Sequence, residues 1–195
     1  MKTTNQFFTA LLVMFLMLNS TTLLAQEDPA RPEYVSVTKM YWNSKNNSTM
    51  DEWKAVEKEY MEKVTKKNEY IMGGWYYTHL ITENSNEVLY IQSYPNWEAI
   101  DKAGARNSEL EKIAWPDAEK RKAFLDNMNS AYSNFHSDEI YATMDGAKVL
   151  AAAPQGDMIL YLRKNTLAYP EDGTNKEFNA LRKKVLENVI NKNEF

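Results

Sequence analysis

Apolar and polar residues alternate along residues 34–42 (YVSVTKMYW), which predicts a strand. After the polar loop 43–48 the periodicity becomes helical. Thr49, with Glu52 three residues on, forms a capping box, and Trp53, Val56, Tyr60 and Val64 share one stripe. Gly73 and Gly74 break that pattern and read as a turn or bulge. Residues 75–81 and 87–94 then predict two strands, joined by a hairpin loop at 82–86. Pro95 stops the second of these, and Asn96 can cap a short helix from Trp97. Gly104 is expected to interrupt that helix, with another short piece over 108–114. A longer helix is expected from Trp115-Pro116-Asp117, with its stripe on Phe124, Met128, Ala131 and Phe135. Residues 139–144 predict the closing strand. The order strand–helix–strand–strand–helix–strand is the split βαβ of ferredoxin-like folds, so the class is α+β.

The pattern then begins again. Residues 147–157 (AKVLAAAPQGD) read as a linker, 158–164 as a new strand, and 170–173 as a turn. Residues 49–70 (TMDEWKAVEKEYMEKVTKKNEY) align without gaps on 174–195 (TNKEFNALRKKVLENVINKNEF). Thr49, Glu52, Ala55, Lys58, Glu62, Val64, Lys67, Asn68 and Glu69 each meet an identical residue. Trp53/Phe178, Val56/Leu181, Met61/Leu186 and Tyr70/Phe195 are apolar pairs. Thr174 and Glu177 repeat the capping box, and Phe178, Leu181, Val185 and Val189 repeat the stripe. The expected organisation is therefore a ferredoxin-like module over 33–146, a linker over 147–157, and a partial second repeat of strand plus helix over 158–195. That second unit is either truncated or partial by design.

The N-terminus changes the picture of where such a protein works. Lys2 precedes an uncharged apolar run over 7–18 (FFTALLVMFLML), and Leu23-Leu24-Ala25 precedes Gln26, as in a signal peptide over 1–25 cleaved after Ala25. The run is short against the ~20 residues of a membrane span. We expect an exported, periplasmic or secreted protein with no membrane association after cleavage. There is no cysteine, so neither disulfides nor lipid attachment through cysteine can occur. Without Lys2 the balance is 22 basic to 27 acidic residues, which argues against nucleic acid as a partner.

Alternate strand residues point to opposite faces. One set, Val35, Val37, Leu80, Leu89, Ile91, Ile140 and Ala142, is aliphatic and expected to lie under the helices. The other is aromatic and polar: Ser36, Thr38, Met40, Trp42, Trp75, Tyr77, His79, Tyr90, Gln92, Tyr94, Tyr141 and Thr143. An aromatic second face suggests either a cavity closed by another sheet or a solid packing surface. The expected ligand-binding residues are Trp42, Trp75, Tyr77, His79, Tyr90, Gln92 and Tyr141.

This order of elements, the tandem copies and the aromatic face, with the phrase YPNWEAIDKA at 94–103, resemble the dimeric α/β-barrel superfamily. That group includes antibiotic-biosynthesis-type monooxygenases, haem-degrading enzymes, and EthD-like and NIPSNAP-like proteins. The resemblance covers most of 34–144 and part of 158–195. It implies two ferredoxin-like units closing a barrel around a small-molecule cavity, either as a homodimer through the aromatic sheet face or within one longer chain. It implies no cofactor here: the haem-degrading branch places an axial histidine after the third strand, and residues 96–135 hold none.

His79, on the expected cavity face, is the candidate catalytic base or hydrogen-bond donor. A semi-buried histidine bonded to a neighbour is the plainer reading. His136, near Asp138 and Glu139, lacks metal-ligand spacing, and no metal is expected. No nucleophile elbow or phosphate loop is present. The leading expectation is an exported protein binding an aromatic or amphipathic small molecule. The alternatives are a cofactor-independent monooxygenase or isomerase in the same cavity, and a structural protein whose aromatic face only associates.

Overall fold

The computed structural model describes residues 31–146, 156, 158–166, 168 and 174–192. The expected signal peptide and most of the expected linker lie outside the described residues. Strand β1 (Tyr34–Trp42) leads through a polar loop to helix α1 (Met50–Lys63), which a 3-10 turn (Thr65–Lys67) extends. Strands β2 (Gly73–Thr78) and β3 (Glu87–Tyr94) form a hairpin. Helices α2 (Trp97–Ala114) and α3 (Ala118–Ser130) carry the chain to β4 (Tyr132–Ala142). The sheet order is β2-β3-β1-β4 with every pairing antiparallel, which is the ferredoxin-like split βαβ arrangement.

Local chemistry sets several of these boundaries. At α1 the Thr49 hydroxyl accepts from the Glu52 amide at 3.2 Å while the Glu52 carboxylate accepts from the Thr49 amide at 2.8 Å. Two otherwise orphaned donors are thus satisfied, in the capping box the sequence predicts. Asn96 Oδ1 accepts from the Ala99 amide at 2.9 Å and starts α2 where expected. Gly104 does not interrupt α2, which runs unbroken across it. The cost of glycine, about 1 kcal/mol against alanine, is outweighed because Ala99, Ala103 and Leu110 are buried along one face. Pro116 lies outside α3, whose N-cap is Asp117, accepting from the Glu119 and Lys120 amides at 3.0 Å each.

The largest boundary difference is at β4. It begins at Tyr132, and Phe135, expected on a helix stripe, is a strand residue in the irregular stretch of β4, its ring 5.5 Å from that of Tyr41 in β1. Pairing with β1 ends the helix at Ser130, with a bulge between Met40 and Trp42 absorbing the extra residues. Gly73 and Gly74 are likewise strand residues. A Cβ on Gly74 would approach both Thr65 Cγ2 and the Tyr90 hydroxyl at 3.2 Å, so this glycine lets strand and 3-10 turn come together.

The second repeat is realised only in its helix. Residues 158–166 form no strand, contrary to expectation, because no other described segment pairs with them. Lys164 instead ion-pairs with Glu139 and lies over the Tyr141 ring, 5.9 Å from its centroid, beside β4. Helix α4 (Lys176–Val185) continues into one π turn (Leu186–Ile190). The Thr174 capping box does not form: Thr174 Oγ1 accepts from the Lys176 amide at 3.2 Å, and the N-cap residue, Asn175, makes no side-chain cap.

The core lies between the sheet and its helices in two clusters. Trp53, Val88 and Ala131 are buried together, with Met40, Trp42, Tyr76 and Tyr132 packed against them. Tyr94, Ala99 and Ala103 form the other, with Tyr34, Tyr70, Ile71 and Ile100. Asn68, buried just beyond α1, fastens this end of the helix layer to α2 by donating to the Ala103 carbonyl at 3.0 Å and to Asn107 Oδ1 at 2.7 Å. No described helix is long and apolar enough to cross a membrane.

Candidate functional site

Register decides which side chains meet, since directly paired residues share a face. Tyr34 pairs with Tyr94, Ser36 with Gln92, Thr38 with Tyr90 and Met40 with Val88. Gly74 and Tyr76 pair with Gln92 and Tyr90. This face carries Trp53 and Ala99 of the helices, so the aromatic and polar residues of β1 and β3 lie under the helices, not opposite them. The expected assignment of faces is therefore inverted. The aliphatic set divides too: Val35, Val37, Leu89 and Ile91 line the opposite face, whereas Ile140 and Ala142 pair with Ser36 and Tyr34 on the helix side.

The seven expected ligand residues are consequently not one group. Trp42, Tyr90 and Gln92 are on the helix side. Trp75 pairs with Ile91, Tyr77 with Leu89, and Tyr141 with Val35, so these three are on the open face. His79 lies beyond the end of β2 in the hairpin loop, its Nδ1 hydrogen-bonded to Thr82 Oγ1 at 2.6 Å. The expected homodimer face is thus a central aliphatic strip with aromatic residues at its edges. His136 stands in β4, its Nε2 3.4 Å from Asp138 Oδ2, both exposed. Among the described residues no group of three or more acidic or histidine side chains could hold a metal.

On the helix side a different constellation assembles. The Trp53 indole is held edge-on by Trp42 (centroids 5.0 Å) and by Tyr76 (5.7 Å), and Tyr76 stacks on Tyr90 at 4.4 Å. Trp53 Nε1 donates to the Tyr132 hydroxyl at 2.8 Å, which donates to Glu57 Oε1 at 2.7 Å. Glu57 is 3 % exposed, and its other oxygen, Oε2, makes no hydrogen bond of good geometry, although the Tyr76 hydroxyl stands near enough to act on the carboxyl. Its carboxyl is pushed above the ordinary range by burial, against the opposing pull of the Tyr132 and Tyr76 hydroxyls. No ion pair reaches Glu57 from any described residue. The phenols around it are also raised by burial, Tyr90 to about 12. Thr65 Oγ1, two helical turns along, is a second buried oxygen without a well-formed hydrogen bond, the Tyr90 hydroxyl being its neighbour.

Trp53 also forms the floor of a surface groove of about 230 Å³, lined by Trp42, Asn43, Ser48, Thr49, Met50 and Ala131 among others. A broader depression of about 600 Å³ shares Asn46, Ser48, Trp53 and Ala131 with it and extends along α3. The loop that forms the rim is fixed to the end of α3, with Asn43 Nδ2 donating to the Ser130 carbonyl at 3.0 Å and Asn46 Nδ2 to Ser130 Oγ at 2.9 Å. The groove is therefore a mouth of amides and hydroxyls over an indole, with a buried carboxyl behind. Such a groove offers amide and hydroxyl groups to a ligand's polar substituents and the edge of an indole to its apolar part; Tyr132 and Glu57 lie behind Trp53 and do not line it. Sequence reasoning passes over Glu57, although it lies four residues after Trp53 and three before Tyr60, on the apolar stripe itself. A carboxylate at such a position is the signal that could have found it.

No family model and no curated protein sequence matches the chain. The chain is similar in fold to several solved structures. It is similar to an antibiotic biosynthesis monooxygenase, at 11 % identity over 57 % of this chain and 98 % of that one, TM-score 0.38. It is similar also to a NIPSNAP family protein from Agrobacterium tumefaciens, at 17 % identity over 56 % and 86 % of the two chains, TM-score 0.39. A third is SnoaB, a cofactor-independent oxygenase from Streptomyces nogalater, at 9 % identity over 57 % and 93 %, TM-score 0.36.

Proposed function

We propose that this protein is exported and holds a small aromatic or amphipathic molecule in the groove over Trp53, on the helix side of the sheet. The observation that carries this reading is the open groove lined by Trp53 and a rim of amides and hydroxyls, with the buried Glu57 carboxyl, one oxygen of which lacks a well-formed hydrogen bond, linked to that indole through Tyr132. The face opposite the helices, with Val35, Leu89 and Ile91 partly exposed around a buried Val37, is the surface on which a second copy packs.

Glu57 also favours a second reading, a cofactor-independent oxygenase or isomerase in the same groove. A buried carboxyl with a raised pKa is, once ionised, a stronger base than an exposed one. In that reading Glu57, not His79, is the proton-transfer group.

The test is a titration with 2-naphthol, followed by tryptophan fluorescence and by amide and indole NMR shifts. Shifts confined to Trp42, Trp53 and the Asn43–Asn46 rim are expected. Shifts confined to Trp75, Tyr77 and Tyr141 would move the site to the open face. No response to 2-naphthol, nor to a panel of one- and two-ring aromatics, would sink the binding reading.

A further inference from the structure

The helix of the second repeat has an exposed apolar stripe. Leu181 is 64 %, Val185 49 % and Val189 59 % exposed, with Phe178 at 37 %. The way α4 is anchored fixes this orientation. Leu186 is buried against the turn at Gly146, and Arg182 Nη1 donates to the Asp145 carbonyl at 3.4 Å. The helix is thus held by one flank, with its stripe turned away from the attachment.

Its counterpart α1 shows what the shared pattern alone demands. In α1 the corresponding stripe covers the sheet, and Trp53 and Val64 are buried. Had α4 kept the stripe merely as a copy, its charges would have no reason to change. They do change. Residues 50–63 hold five acidic and three basic side chains, whereas the aligned residues 175–188 hold two acidic and four basic. Asp51, Glu57 and Glu59 are replaced by Lys176, Arg182 and Lys184. Within a chain of net charge -4, this segment is net basic.

We propose that α4 is a membrane-surface element, lying in the interface of an anionic bilayer with Phe178, Leu181, Val185 and Val189 toward the acyl chains. An exposed apolar stripe on a basic helix is the composition that anionic headgroups attract, and apolar burial and electrostatic attraction add in such binding. The absence of a spanning helix among the described residues is compatible with this, since a helix of this kind lies on the bilayer.

The test is vesicle co-sedimentation of the full chain, using equimolar phosphatidylglycerol and phosphatidylcholine against phosphatidylcholine alone. Each basic residue near an anionic surface contributes roughly fivefold in partitioning. We expect about tenfold or greater preference for the anionic vesicles, weakening as salt shortens the Debye length. Leu181→Glu/Val185→Glu and Lys176→Glu/Lys184→Glu should each abolish that preference. These are exposed positions, so the fold is kept, and circular dichroism checks it. The apolar run at 7–18 is common to all variants and cannot produce a difference between them. Equal binding to both vesicle types, no binding to either, or anionic binding that both variants retain overturns the proposal. So does a vesicle-free dimer that Leu181→Glu/Val185→Glu converts to monomer, which would assign the stripe to a second copy.

Discussion

Replacing Glu57 with glutamine separates the charge of the buried carboxyl from its shape. In the native protein Oε1 accepts the Tyr132 hydroxyl at 2.7 Å, and the amide oxygen of the Glu57→Gln variant can accept the same bond. What changes is the atom at Oε2, buried without a well-formed hydrogen bond in the native protein, and the titratable group itself, which is lost. Burial raises this carboxyl above its ordinary value of 4.5, so the folded chain binds the proton more tightly than the unfolded one. By linkage, stability contributed by protonated Glu57 is complete below the unfolded value. It declines as pH rises toward the folded-state value, by about 1.4 kcal/mol for each pH unit in that window. The Glu57→Gln variant has no such decline. At pH 4.5 it should be equal to or less stable than wild type, by up to about 1 kcal/mol for the amide left unpaired. At pH 8 the difference should have moved in favour of the glutamine variant, by about 1.4 kcal/mol for each unit of pH between the unfolded and folded values. The exposed carboxylates held below their usual range, such as Glu52 and Glu62, titrate identically in both proteins and cancel in the difference. Urea unfolding of both proteins from pH 4.5 to 8 reads this directly. Parallel pH dependences, or a glutamine variant destabilised equally at every pH, would refute the reasoning.

Two paired substitutions test local features of the fold. Thr49→Ala removes a formed capping box and should cost about 1 kcal/mol, whereas Thr174→Ala, whose box does not form, should leave the thermal midpoint unchanged. Gly104→Ala meets nothing within 4 Å in the α2 interior and should stabilise by about 1 kcal/mol. Gly74→Ala must push Thr65 or Tyr90 aside, and should destabilise by about 1–3 kcal/mol in the same denaturation series.

Much of the fold was legible because its signals are local. β1, the capping box of α1, β3 and the Asn96 cap of α2 all follow from the chemistry of a few neighbouring residues. The faces of the sheet were not, because they depend on register. Trp75, Tyr77 and His79 alternate as convincingly as Tyr76 and Thr78 do. Only the pairing of Tyr76 with Tyr90 reveals that it is Tyr76 that shares the helix side. The helices, moreover, lie on aromatic and polar residues, because Trp53, Glu57 and Tyr132 bring their own hydrogen bonds to that core. The strand expected at 158–164 had the right residues and no ladder to join. Phe135 satisfied a helical spacing that pairing with β1 overrode.

The position of β4 at the sheet edge has a consequence for colloidal behaviour. Eleven residues of extended backbone are long for an edge, and an open edge is a template for pairing with other chains. β4 places Asp138 and Glu139 consecutively at mid-strand, so each face of the edge presents an ionised carboxylate, that of Glu139 paired with Lys164, to any incoming strand. Lys164 and the Tyr141 hydroxyl hold Glu139 below the usual carboxylate range, which keeps one of those charges in place further into acid. The edge is thus guarded by repulsion instead of brevity, and acid, which discharges it, is the condition under which chains would join edge to edge.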